Sequence, residues 1–145
     1  MKHLLKTAAL LTFLSFPVYA EGPTPSNPDA VQYIISPMDG ATVSSPVKVQ
    51  FGLQGMGIAP AGVEKEMTGH HHLVIDSAPF GADDPEAVKM ALPADETHIH
   101  YGGGQSEAMV ELAPGTHTLQ LVLGDWSHTP HEPPIMSKVI TITVE

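Results

Sequence analysis

The sequence predicts an all-β fold, an immunoglobulin-like antiparallel β-sandwich with one short helical insertion. Three observations carry this. Short runs rich in β-branched and apolar residues recur along the chain, Gly and Pro separate them, and several alternate apolar with polar side chains as a half-buried strand requires.

In chain order, residues 1–20 read as a signal peptide: a basic start (Lys2, His3, Lys6), an apolar run from Ala8 to Phe16 and a small-residue end, Val18-Tyr19-Ala20. The apolar run is too short to span a bilayer, which takes about 20 residues, and no later segment is a candidate. Cleavage after Ala20 would leave a Pro-rich, flexible mature N-terminus over 21–30 and a single sandwich domain over 31–145, with the periplasm as destination. Strands are expected at Val31–Ser36, Val47–Leu53, His71–Asp76, Glu107–Ala113, Thr116–Leu123 and Ser137–Val144, with a further short one at His98–Tyr101. Leu119, Leu121 and Leu123 alternate with Thr118, Gln120 and Val122, so that one face is core. Turn chemistry sits at Ser36-Pro37-Met38-Asp39-Gly40 and at Pro114-Gly115. The helical insertion is placed at Ala87–Leu92, with Asp84 as cap, Pro85 at the first position and Pro93 as the stop.

Composition removes several classes of function. The chain has no cysteine, which excludes disulfides, thiolate metal sites and a blue-copper centre. It has no arginine, and beyond Ala20 four lysines stand against sixteen acidic residues, a formal charge of −12. Nucleic acid and anionic membranes are bound through clustered Lys and Arg, so neither is an expected partner. Cations are.

Eight of the nine histidines lie beyond Ala20, grouped as His70-His71-His72, His98-x-His100, His117 and His128-x-x-His131. Alternate residues of a strand share a face, so His70 and His72 point together with His71 opposed, and His98 and His100 form a second pair. Two such pairs, with loop histidines added, can supply nitrogen ligands to zinc or copper. The candidate ligands are therefore His70, His72, His98, His100, His128 and His131. His117 shares the parity of Leu119 and Leu121 and is expected to tie down a loop at the core edge. Any single histidine in a sandwich is more simply a hydrogen-bonded structural residue; four groups of them favour a metal. Met67 and Met136 are candidate thioether ligands for copper, against the simpler role of core filler.

Three further motifs do not fit the chemistry they suggest. Gly102-Gly103-Gly104 lacks the Gly-Lys-Ser/Thr of a phosphate loop. Asp125, Ser127 and His128 are too close in sequence for a triad. Asp83, Asp84 and Glu86 fit no EF-hand spacing.

The motifs Gly69-His70-His71-His72-Leu73-Val74-Ile75-Asp76, His98-Ile99-His100-Tyr101-Gly102 and Pro114-Gly115-Thr116-His117-Thr118-Leu119-Gln120-Leu121, with Gly124-Asp125-Trp126-Ser127-His128-Thr129-Pro130-His131-Glu132-Pro133-Pro134, together resemble the bacterial "domain of unknown function 4399" proteins. The resemblance covers about residues 69–144, with Tyr101 where Phe is expected. It implies a small exported protein with a compact β domain and brings no activity with it.

The leading expectation is a periplasmic metal-binding protein that uses a histidine cluster to bind, store or deliver copper or zinc. The alternative is a non-metal, immunoglobulin-like interaction module that meets another envelope protein and whose histidines are structural. A histidine-metal enzyme, a third reading, would need an acid or base beside the ion, for which Glu107 and Asp76 are the candidates.

Overall fold

The computed structural model describes residues 22–145, and the expected signal peptide lies outside the described residues. Among the described residues nine strands form: β1 Val31–Ser36, β2 Thr42–Val43, β3 Val47–Gln54, β4 Gly57–Ile58, β5 Thr68–Ile75, β6 His98–His100, β7 Glu107–Val110, β8 Gly115–Gly124 and β9 Ile140–Val144. One sheet has the order β1-β3-β7 and the other β2-β9-β8-β5-β4, with β6 also paired to β5. The pairings of β1, β3 and β7 are antiparallel, as are those of β5 with β6 and β8 and of β8 with β9. The two-residue strands β2 and β4 make parallel contacts and are too short to leave a periodic signal. The arrangement is a sandwich of two β-sheets, as expected.

The core lies between the sheets. Val47, Val49 and Phe51 from one meet Leu73, Ile75, Leu119, Leu121, Ile142 and Val144 from the other. Strand β5 differs from the rest because nearly every residue in it is buried. Its odd positions face the sandwich core, whereas Val74 joins Val122, Leu92, Phe80 and Met136 in a second apolar cluster on the outer face. Connecting segments cover that face. Gln120 fastens them, accepting from the Phe80 N–H at 2.9 Å and donating to the Ser137 carbonyl at 3.2 Å.

Several strand ends shift from expectation, β5 starting at Thr68 rather than His71 and β7 ending at Val110 rather than Ala113, and two further differences have a local cause. The helical insertion is a single 3-10 turn, Ala87–Lys89, with no buried residue; between Pro85 and Pro93 there is too little chain to nucleate an α-helix. Asp84 still acts locally, accepting the Glu86 N–H through its side chain. The last strand starts at Ile140 rather than Ser137, because the Ser137 hydroxyl takes the Leu121 N–H at 2.8 Å and the chain bulges before pairing resumes at Leu119–Ile140.

His117 ties down a loop as its parity implied. Its Nδ1 lies 2.7 Å from Asp76 Oδ2 and its Nε2 lies 2.8 Å from the Ala113 carbonyl. Both partners are acceptors, so the imidazolium, with two N–H groups, suits the position best. The Ala113 carbonyl first, and then Asp76, raise its pKa above the usual value. A raised folded pKa gives stability that is full below the unfolded value, about 6.5, and lost as pH rises through the folded one. His117→Ala should therefore cost about 1–2 kcal/mol at pH 6 and less at pH 9, as read by urea denaturation at the two pH values.

Candidate metal centre

The histidine triplet sits on β5, and strand alternation divides it. His71 faces the sandwich core, its ring 5.1 Å from that of Phe51 and its Nδ1 2.8 Å from Gln32 Nε2. His70 and His72 face the other way and are fully buried. Register adds the next ligand: His72 is directly opposite His100 across the β5–β6 pair, so the two side chains leave the same face. Loop residue His128 closes the group. The ring centroids of His70, His72, His100 and His128 lie between 4.6 and 6.0 Å from one another.

The backbone comes close to these rings where side chains would obstruct it. A Cβ on Gly124, which is opposite His70, would fall 2.8 Å from His72 Nε2, and one on Gly102 would fall 2.5 Å from His100 Nε2. Neither position tolerates a larger residue without moving an imidazole. The Gly102–Gly104 run noted in the sequence thus serves the site.

His128 is held in a left-handed conformation, φ 73°, which is uncommon outside glycine and costs about 1–3 kcal/mol. Asp125 organises its loop. The Asp125 Oδ1 accepts from the N–H and hydroxyl of Ser127, each at 2.8 Å, and from the Thr129 N–H at 3.0 Å. The His128 N–H donates to the Asp125 carbonyl, and the His128 carbonyl accepts from Leu92. Asp125 and Ser127 are thus loop-building residues rather than members of a triad.

The remaining sequence candidates stand elsewhere. His98 is two residues from His100 along β6, opposite Val74, and its Nδ1 lies 3.0 Å from Asp95 Oδ1. His131 lies on the other side of β5: its Nε2 would be 2.9 Å from a Cβ on Gly69, an inward-facing position beside Leu123. Thr24 gives its one proton to Asp125 Oδ2, so its oxygen accepts from His131 Nδ1 at 2.8 Å. Met136 packs in the outer apolar cluster and Met67 is exposed, which places both in the filler or surface role. The acid or base candidates are engaged away from the cluster, Glu107 with Lys48 at 3.0 Å and Asp76 with His117.

His70, His72 and His100 could hold a metal ion: each offers a nitrogen, and the three lie within 4.8 Å of one another. The Nε2 atoms of His70 and His72 are 3.1 Å apart. Two nitrogens bound to one tetrahedral ion at about 2.0 Å each would be about 3.3 Å apart, so little movement is needed. Without an ion the proton count fails. If one Nε2–H donates to the other Nε2, the two Nδ1 atoms are left as one donor and one acceptor, and both are buried without partners, as is His100 Nε2. His70 and His72 are closed off from water, whereas His100 and His128 are half-buried and border the surface.

The outer face of this β-sandwich therefore carries a four-imidazole cluster with three nitrogens converging. The chain belongs to the family described as "Domain of unknown function (DUF4399)", whose model matches residues 49–145 and so includes the whole cluster. No curated protein and no solved structure matches the chain.

Burial, followed by the neighbouring imidazoles, lowers the pKa of His72 to about 3. Burial also lowers His70 to about 4, with His100 and His128 contributing and Asp125 opposing, and lowers His71 to about 4. All three rings are neutral at pH 7, which leaves His70 and His72 ready to coordinate. Because the folded values lie below the unfolded one, about 6.5, the native state binds fewer protons and is penalised as acid is added. The contribution of these three histidines to the stability of the metal-free protein should be constant above pH 7 and turn progressively unfavourable as pH falls from about 6.5 towards 3. His72→Leu should flatten that loss, measured as the urea midpoint against pH.

Proposed function

We propose that the protein is an exported, periplasmic metal-binding protein that takes up zinc or copper through His70, His72 and His100, with His128 as fourth ligand, for storage or delivery. The observation that carries this reading is the convergence of one nitrogen from each of three imidazoles within 4.8 Å, with His100 Nε2 buried and without a protein partner. Left bare, a buried nitrogen costs about 1–3 kcal/mol, and a cation that meets the lone pair of His100 Nε2 removes that cost. Export is supported by the basic start, apolar run and small-residue end of residues 1–20. Two ligands anchored on β5 and one on β6 make a rigid base, and the loop ligand His128 sits on the side from which an ion can enter.

A second reading, the interaction module, draws on β1. That strand edges its sheet and exposes Val31 and Ile35, at 51% and 49% of their surface. It accounts for that edge and leaves the histidine cluster without a purpose.

A ligand that binds only the folded state raises its stability by about 2.7 kcal/mol at 100 times its Kd. Untagged protein should carry zinc or copper by elemental analysis, and its melting temperature should rise with added ion. His100→Ala should abolish that rise and His98→Ala should preserve it. A melting temperature indifferent to both ions would refute the reading.

A further inference from the structure

His128 stands at the apex of a loop whose two feet meet one side chain. Asp125 opens the loop, His131 closes it, both are buried, and the Thr24 hydroxyl bonds to each. It donates its proton to Asp125 Oδ2 at 3.1 Å and accepts from His131 Nδ1 at 2.8 Å, so it is donor to one foot and acceptor from the other. The backbone around Thr24 repeats the join. Pro25 bridges Glu132 in parallel, the Thr24 carbonyl accepts from the Glu132 N–H at 2.9 Å, and the Ser26 N–H donates to the Glu132 carbonyl at 3.0 Å. Ser26 Oγ then donates to the Pro133 carbonyl at 2.7 Å. Residues 24–26 are therefore a strap across the feet of the loop, on the His131 side of β5, while the apex presents His128 to the cluster. Bonds inside the turn, such as that from the Asp125 N–H to the Thr129 carbonyl at 2.8 Å, set its shape; the strap sets where it stands.

We propose that Thr24 is a positioning residue for the fourth ligand: by clamping both feet of the loop it holds His128 beside His70, His72 and His100 before an ion arrives. The inference rests on the metal-binding reading above and adds the residue that sets the fourth ligand. A ligand on an unordered loop must be ordered when the ion binds, and that loss of freedom is subtracted from affinity. The demand is greater at His128 because its φ of 73° is a conformation that side chains oppose. His70, His72 and His100 need no such help, since paired strands fix them. Thr24 therefore acts on the ion only through His128.

Thr24→Val keeps the shape of the side chain and removes both bonds, whereas Thr24→Ser keeps both. Zn2+ affinity, measured by chelator competition, should fall about 10-fold in Thr24→Val and stay within about 2-fold of the parent in Thr24→Ser. In a His128→Ala background the valine should cost less than about 2-fold, because the ligand it displaces is already gone. If Thr24→Val does not fold, Ser26→Ala, which frees the Pro133 carbonyl, replaces it and should cost about 5-fold with His128 present and under about 2-fold without it. An equal loss in both backgrounds, no loss, or a serine variant as weak as the valine one would overturn the inference while leaving metal binding in place. A parent that binds no Zn2+ would overturn the metal-binding reading itself, and the strap is then judged in metal-free protein. There the His128 amide hydrogen should exchange about 10-fold faster in Thr24→Val than in the parent, and equal rates would overturn the strap as well.

Discussion

Burial of β5 on both faces is the constraint on which the rest of the structure depends. Most strands of a sandwich bury one side and wet the other, but β5 lies between β8 and the strands β4 and β6, with the core beneath it and the connecting segments above. Three consecutive histidines can be hidden in such a strand only if each face gives its imidazoles something to do. The core face does so for His71 with Gln32 and Phe51. The outer face gathers His70 and His72 against His100 and His128 and leaves His70 Nδ1, His72 Nδ1 and His100 Nε2 unmet.

The covering segments follow from that constraint. They bring Leu92, Phe80 and Met136 onto Val74 and Val122, which closes the apolar half of the outer face. At the other half the Asp125 turn sets the His128 backbone in a conformation that ordinary sequence preference opposes. Apolar packing and imidazole clustering are thus neighbours on one surface, the first supplying the low dielectric that lowers the proton affinity of the second.

Much of this was legible in the sequence where the chain is periodic. The alternation of Leu119, Leu121 and Leu123 defined a core face, the triplet on β5 had to split by parity, and His117 inherited the role of its register. What was not legible depended on register between distant strands. Nothing in the local sequence separates His100 from His98, yet pairing with β5 sets one opposite His72 and the other opposite Val74. His131 looked equivalent to His128 in the same loop, but a turn built on Asp125 directs them to opposite sides of the sheet. Asp125 itself reads in the sequence only as a triad candidate, because the donors that surround it come from a turn and from the distant Thr24. Gly124 gave no signal either; only the approach of its backbone to His72 explains why a side chain is absent there.

The central claim, that four particular imidazoles form one metal centre, is tested most directly by long-range proton–nitrogen NMR of 15N-histidine-labelled protein during titration with Zn2+. The account predicts that one ring nitrogen in each of His70, His72, His100 and His128 moves to the shift of a metal-bound imidazole at one equivalent, while His98, His117 and His131 stay in place. Ring nitrogens of the four that remain unchanged at saturating Zn2+, or changes centred on His98 and His131, would contradict it.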